Sequence, residues 1–194
     1  GVLLLGIGGT GVVTVNQLLG TAAALEGKLV TGLDQTGLSQ KGGPVVSHLK
    51  IAPEPGCGSN KLGPGQADAL LAFDLLTATQ SQHLARAAAG RTVAVAATSQ
   101  VPTGGQVAST AVQFPAVDGL LATLGARAEV AAAFDAVGLA ESLFGDAMAA
   151  NLILLGAAYQ AGALPVGAGA IEQAIALNGV QVATNTHAFR LGRR

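Results

Sequence analysis

Apolar and polar positions along the chain fall into alternating strand-like and helix-like periods. Val2-Leu3-Leu4-Leu5 is a continuous apolar run that enters Gly6-Ile7-Gly8-Gly9-Thr10-Gly11, and from Val12 the apolar residues recur at Val15, Leu18, Leu19, Ala22 and Leu25, one face of a helix. A buried strand, a glycine-rich turn and a helix over Val12–Leu25 are therefore expected, with Gly27 as a left-handed cap. A second strand is predicted over 28–33 and a polar turn over 34–43. In Pro44–Ala52 the residues Val45, Ser47, Leu49 and Ile51 alternate with Val46, His48 and Lys50, which predicts a half-buried third strand with one polar face. Residues 53–65, rich in Pro and Gly, read as a long loop. Further strands are expected over 69–73, 91–97 and Glu129–Phe134, with helices over 81–89, around 115–124, and over 146–160, 168–177 and 180–191. This order predicts an α/β fold: three layers around a Rossmann-like, mostly parallel sheet, with a helical C-terminal end. A length of 194 residues favours one domain over 1–194.

Composition changes the picture in one respect. Charged residues make up 11% of the chain and aromatic residues 3%, where about 25% charged is usual, so the core must be built from Ala, Val, Leu and Ile and little charge remains for the surface. A domain packed among partner domains or subunits is the expectation. The formal net charge of -1 supplies no electrostatic footprint for nucleic acid. A single cysteine, Cys57, excludes an internal disulfide and cannot alone hold zinc or an iron–sulfur centre. No apolar run approaches the ~20 residues of a membrane span, and no signal peptide is visible, which points to the cytoplasm. The chain opens inside its first strand without an initiator Met and closes on Arg193-Arg194, as expected of a segment from a longer polypeptide.

Two constellations carry chemistry. Gly6-x-Gly8-x-x-Gly11 stands between a strand and a helix, where backbone amides and the helix N-terminus suit an anion, and Asp34 follows at the distance of a ribose-binding acid. Three readings stand open on this pattern: a dinucleotide site, a site for another phosphate-bearing ligand, and glycines that only permit a tight turn. Residues 34–43, with Lys41 and several glycines, form an elaborate polar turn that would lie beside the glycine loop if the first two strands were neighbours. Gly6, Gly8, Gly9, Thr10, Gly11 and Lys41 are thus the candidate binding residues, Lys41 as a point charge for a phosphate. His48 reads as a hydrogen-bonded strand residue, His83 and His187 as surface residues, and Asp68, Asp74 and Asp135 as turn caps. No nucleophile elbow, metal-binding helix or Walker lysine appears, so no catalytic and no metal-ligating residue is assigned.

The residues also resemble a known family. Gly-Ile-Gly-Gly-Thr-Gly-Val-Val-Thr at 6–14, Leu-Glu-Gly-Lys at 25–28, Asp-Gln-Thr-Gly-Leu-Ser-Gln-Lys-Gly-Gly at 34–43, Val-Ser-His at 46–48, Asn-Gly-Val at 178–180, Asn185 and Ala-Phe-Arg-Leu-Gly-Arg at 188–193 are similar to the gamma-type domain of 2-oxoacid:ferredoxin oxidoreductases. The likeness is nearest to the indolepyruvate ferredoxin oxidoreductases, especially the large single-chain forms. It implies oxidative decarboxylation of a 2-oxoacid to an acyl-CoA, with thiamine diphosphate, Mg and [4Fe-4S] clusters held by other domains or subunits. This domain would then be inactive alone, would partner thiamine-binding and ferredoxin-like domains in a homo-oligomeric enzyme, and would contribute either to coenzyme A binding or to packing. A free-standing nucleotide-binding module is the alternative.

Overall fold

The computed structural model describes residues 1–37, 43–54, 58–100 and 114–194. Six strands, β1 (Val2–Ile7), β2 (Leu29–Thr36), β3 (Pro44–Ala52), β4 (Ala69–Ala72), β5 (Val93–Ala97) and β6 (Glu129–Phe134), form one sheet in the order β2-β3-β1-β4-β5-β6. The pairs β1–β4, β4–β5 and β5–β6 are parallel, whereas β3 runs antiparallel to both β1 and β2. The sheet is therefore mixed, with a parallel half and an antiparallel wing.

Helices cover both faces. On one lie α1 (Val12–Leu25), α6 (Ala150–Gln160), α7 (Ala168–Asn178) and α8 (Val182–Gly192), packed on Leu4, Val95 and Leu71. On the other, Leu3, Leu5 and Leu70 meet the short helices α2 (Leu75–Ala78) and α3 (Ser81–Leu84) and Leu124 of α4 (Val117–Gly125). A further helix, α5 (Ala136–Phe144), and a 3-10 turn (Ala147–Ala149) join β6 to α6. Aliphatic residues and Ala dominate both cores, as the composition requires, with Phe189 fully buried among them. The helices α6 and α8 cross so closely that a Cβ on Gly156 would overlap the carbonyl of Phe189, and one on Gly192 the carbonyl of Ile153.

Four local expectations are corrected. The first two strands are not neighbours, because β3 is inserted between them. Asp34 lies within β2 rather than in the following turn: it faces Ser47 across the β2–β3 ladder, and its Oδ1 accepts hydrogen bonds from the Ser47 hydroxyl and from Asn16 Nδ2 (2.8 Å). The third strand has no exposed polar face over Val45–Leu49, since Ser47 and His48 are both fully buried. The helix expected over 81–89 stops at Leu84, where the Ala85 and Arg86 carbonyls accept instead from the Gly65 and Ala67 amides (3.0 and 2.9 Å). Asp135, whose carboxylate accepts from the Gly138 amide (3.0 Å), starts the unforeseen α5.

Candidate functional site

The site grows from the end of β1. After Ile7 the chain turns on Gly8 and Gly9, and Thr10 closes the turn by donating both its amide (3.1 Å) and its hydroxyl (2.8 Å) to the Ile7 carbonyl. Gly9 has φ 99° and Gly11, the N-cap of α1, φ 77°, a region that glycine occupies at little cost. The glycines of the turn have different duties. A Cβ on Gly6 would come within 2.6 Å of Thr10 Oγ1 and of Val12, and one on Gly11 would overlap Asn151 Nδ2, so these two allow close packing. Around Gly9, by contrast, a Cβ would meet nothing within 4 Å.

Facing this turn are Phe73 after β4, Ala97 at the end of β5, Ala136 and Val137 of α5, Met148, and Ala150 and Asn151 at the start of α6. They enclose, with Ile7, Gly8, Gly9 and Thr10, a crevice of about 260 Å³ that has no charged side chain in its lining among the described residues. It lies at the carboxyl ends of β1 and β4, where connections leave the sheet in opposite senses, the position at which open α/β sheets receive ligands. The α1 N-terminus has no side-chain cap and no acid in its first turn, so the partial positive charge of its amides is uncompensated. Asn151 is 5% exposed and its Oδ1 has no hydrogen-bond partner. A second hollow, of about 250 Å³, shares Met148 and Asn151 with the crevice and is lined on its far side by Asn178, Val180, Gln181 and Asn185. Asn178, Val180 and Asn185 thus come from a distant part of the sequence to a hollow that adjoins the crevice through Met148 and Asn151.

Of the candidate residues, Gly8, Gly9 and Thr10 line the crevice, while Gly6 and Gly11 shape it from behind. Lys41 lies outside the described residues, as does Cys57. Residues 38–42 of the 34–43 turn also lie outside the described residues; its last residue, Gly43, sits beside the glycine loop through β3: Ile7 pairs with Pro44, and the Gly8 amide donates to the Gly43 carbonyl (2.9 Å). The Gly8 and Thr10 amides are consequently spent within the protein, and fewer amides remain for an anion than the motif suggests. Asp34, exposed on the edge strand β2, has its Oδ1 held by Ser47 and Asn16.

A family model for pyruvate ferredoxin/flavodoxin oxidoreductase matches residues 1–194. The chain belongs to this family. It is 28% identical over 161 residues, covering 83% of this chain and 78% of the relative, to indolepyruvate oxidoreductase subunit IorB of Methanothermobacter thermautotrophicus. Its fold is similar to that of pyruvate oxidoreductase subunit PORC of Thermotoga maritima (TM-score 0.69, 18% identity, 99% of this chain and 93% of that one). The gamma subunit of a keto/oxoacid ferredoxin oxidoreductase from Geobacter sulfurreducens superposes with TM-score 0.65 at 21% identity, covering 99% of this chain and 95% of that one. A 2-oxoglutarate:ferredoxin oxidoreductase from Magnetococcus marinus, solved with 2-oxoglutarate, coenzyme A and succinyl-CoA bound, does so with TM-score 0.65 at 15% identity, over 99% of this chain but 30% of that one.

Elsewhere in this oxidoreductase-family chain several titratable groups are tied into the fold. His48 is fully buried; its Nδ1 accepts from the Leu62 amide (3.3 Å) and its Nε2 lies 3.3 Å from Gln35 Oε1. Burial, reinforced by the cations Arg86, Lys61 and Lys50 and by His83, lowers its pKa to about 4, so the imidazole is neutral. His83 is buried rather than on the surface, because the short α3 turns it inward; His187 is exposed and meets Phe144 edge-on. The Ser99 hydroxyl and then the Gly138 amide hold the Asp135 carboxyl below its ordinary range. Asp74 caps α2 through the Thr77 amide (2.7 Å). Asn151, Met148 and Val137 escaped sequence reasoning; the Asp135 and Asp146 caps, ahead of the helical turns that carry Val137 and Met148, were the available signal.

Among the described residues no three His, Cys, Asp or Glu side chains come together, and no helix is long and apolar enough to cross a membrane. One cysteine cannot supply the thiolates of an iron–sulfur cluster, so the residues of this chain do not fit that group.

Proposed function

We propose that this chain is the gamma component of a 2-oxoacid:acceptor oxidoreductase of indolepyruvate or arylpyruvate type, and that its crevice receives part of coenzyme A as the acyl acceptor. The observation that carries this reading is the open wall at Gly9, facing an uncapped helix N-terminus and the buried, unpartnered Asn151 Oδ1. The apolar lining suits a pantetheine-like arm, and the Asn151 oxygen would accept from an amide N–H that such an arm carries. An anionic group would meet the α1 amides, with Lys41 adding a point charge. Thiamine chemistry and the clusters belong to other domains or subunits, and the chain alone turns over nothing. Leu143, Met148, Leu177 and Val180 are each at least half exposed, which favours a partner over this end of the molecule.

The test is steady-state kinetics of the assembled enzyme with coenzyme A varied. Gly9→Asp places a carboxylate in the open wall and raises the KM for coenzyme A at least tenfold, a loss of about 1.4 kcal/mol. Gly9→Ala carries the same backbone strain without the charge and raises it much less. Lys41→Ala has a smaller, salt-dependent effect. A wild-type KM in a folded Gly9→Asp enzyme overturns the assignment.

A further inference from the structure

A second cleft, of about 350 Å³, lies at the opposite end of the sheet, between the loop that follows β3 and α3, and is lined by Lys61, Leu62, Pro64, Gln82 and Arg86 among others. Its place is fixed by two hydrogen bonds. The Leu62 amide donates to His48, which is in register with Leu3 near the start of β1, and the Arg86 carbonyl accepts from Ala67, just before β4. No acidic side chain lines it, and among the described residues neither Lys61 nor Arg86 forms an ion pair. The nearest acid in sequence, Asp68, is held by Arg91 (2.7 Å).

The guanidinium of Arg86 donates one Nη1 bond to the Gln82 carbonyl, and its Nε is buried without an acceptor. Nearby, His83 is 7% exposed and its Nδ1 is likewise buried without a partner. Burial first, then Arg86 and Lys61, push the His83 pKa down, and every charged group that acts on His48 is also basic. A chain with ten Lys and Arg in all has therefore gathered Lys50, Lys61 and Arg86 around two buried imidazoles, on which no acidic group among the described residues acts.

We infer that this cleft is an anion site for a small organic phosphomonoester, whose phosphate lies between Lys61 and Arg86 and whose body rests on Leu62 and Pro64. Rotation of the Arg86 side chain away from the Gln82 carbonyl would bring its guanidinium into the cleft with a two-donor edge that matches an oxyanion. The concave, apolar floor favours a small molecule over the acidic surface of a protein, and its volume falls within the range of ligand pockets, about 300–1,000 Å³. This inference does not rest on the coenzyme A reading, because the two hollows share no residue.

The experiment titrates the full-length protein with inorganic phosphate, following thermal stability and the histidine ring resonances by NMR, against chloride at equal ionic strength. Phosphate raises the melting temperature where chloride does not, and raises the apparent pKa of His83, whose resonance is identified by its loss in His83→Gln. Lys61→Gln, at an exposed position that leaves folding intact, weakens phosphate binding at least fivefold, and Arg86→Lys retains part of it. Competition by saturating coenzyme A would make that molecule the source of the phosphate; an unchanged titration would make the ligand a separate metabolite. Equal responses to chloride and phosphate, phosphate affinity unaltered in Lys61→Gln, or binding of poly-glutamate without binding of phosphate would each overturn the proposal.

Discussion

The two ends of the sheet are built from different materials. At the carboxyl ends of β1 and β4 the crevice has backbone amides, a helix N-terminus and apolar walls, and among the described residues no charged side chain lines it. At the amino ends the cleft is rimmed by Lys61 and Arg86 over buried histidines. The first end depends on backbone shape, so the glycines are its vulnerable points. The second depends on point charges carried by side chains, which can be exchanged without disturbing the fold but respond to salt.

Substitutions that separate shape from charge sharpen this contrast. The largest effect belongs to Gly11→Ala, which places a methyl group onto Asn151 and a side chain at φ 77°. It should destabilise the chain by about 3 kcal/mol in denaturant unfolding, the sum of overpacking and left-handed strain; a loss below about 1 kcal/mol would mean that the crevice wall adapts. Next is acid stability. The unfolded chain binds a proton at His48 near its ordinary pKa of 6.5, whereas the folded chain refuses it until about 4. Stability therefore falls as the pH drops through that window and is unaffected by this group above it, by about 3 kcal/mol in all. His48→Gln should flatten the slope between pH 6.5 and 4, and an unchanged slope would assign it to other groups.

Asn151→Leu is a smaller perturbation with opposite signs for folding and function. Removing a buried acceptor that has no partner should leave stability unchanged or raise it by up to about 1 kcal/mol, while the KM for coenzyme A rises severalfold. Parallel losses in both would make Asn151 a packing residue only. At the other end, Lys61→Gln should change unfolding free energy by less than about 0.5 kcal/mol, although it weakens phosphate binding.

Much of this contrast was readable along the chain, and the rest was not for definable reasons. The alternation in Pro44–Ala52 and the apolar face of Val12–Leu25 reproduce β3 and α1, because each is a local period. Strand order is not local: nothing between residues 28 and 52 says that β3, rather than β2, lies against β1. That pairing sets Asp34, still exposed on the edge strand β2, across from Ser47. The end of α3 was equally hidden, since the Gly65 and Ala67 amides, ahead of β4, take the carbonyls at which the helix stops. At the site, the glycine turn announces itself by spacing. Its opposite wall, from Phe73, Ala97, Val137 and Met148, is ordinary apolar residues that only the fold assembles.

Met148 offers the most direct test of the central claim, that the crevice at the glycine turn receives coenzyme A. It is the only methionine of the chain and borders both the crevice and the adjoining amide-lined hollow. With methionine methyl groups labelled in the assembled enzyme, and the Met148 signal identified by its loss in Met148→Leu, addition of coenzyme A should shift that signal in the wild type and leave it in place in Gly9→Asp. A Met148 signal that does not move at saturating coenzyme A, in an enzyme that turns over, would contradict the account.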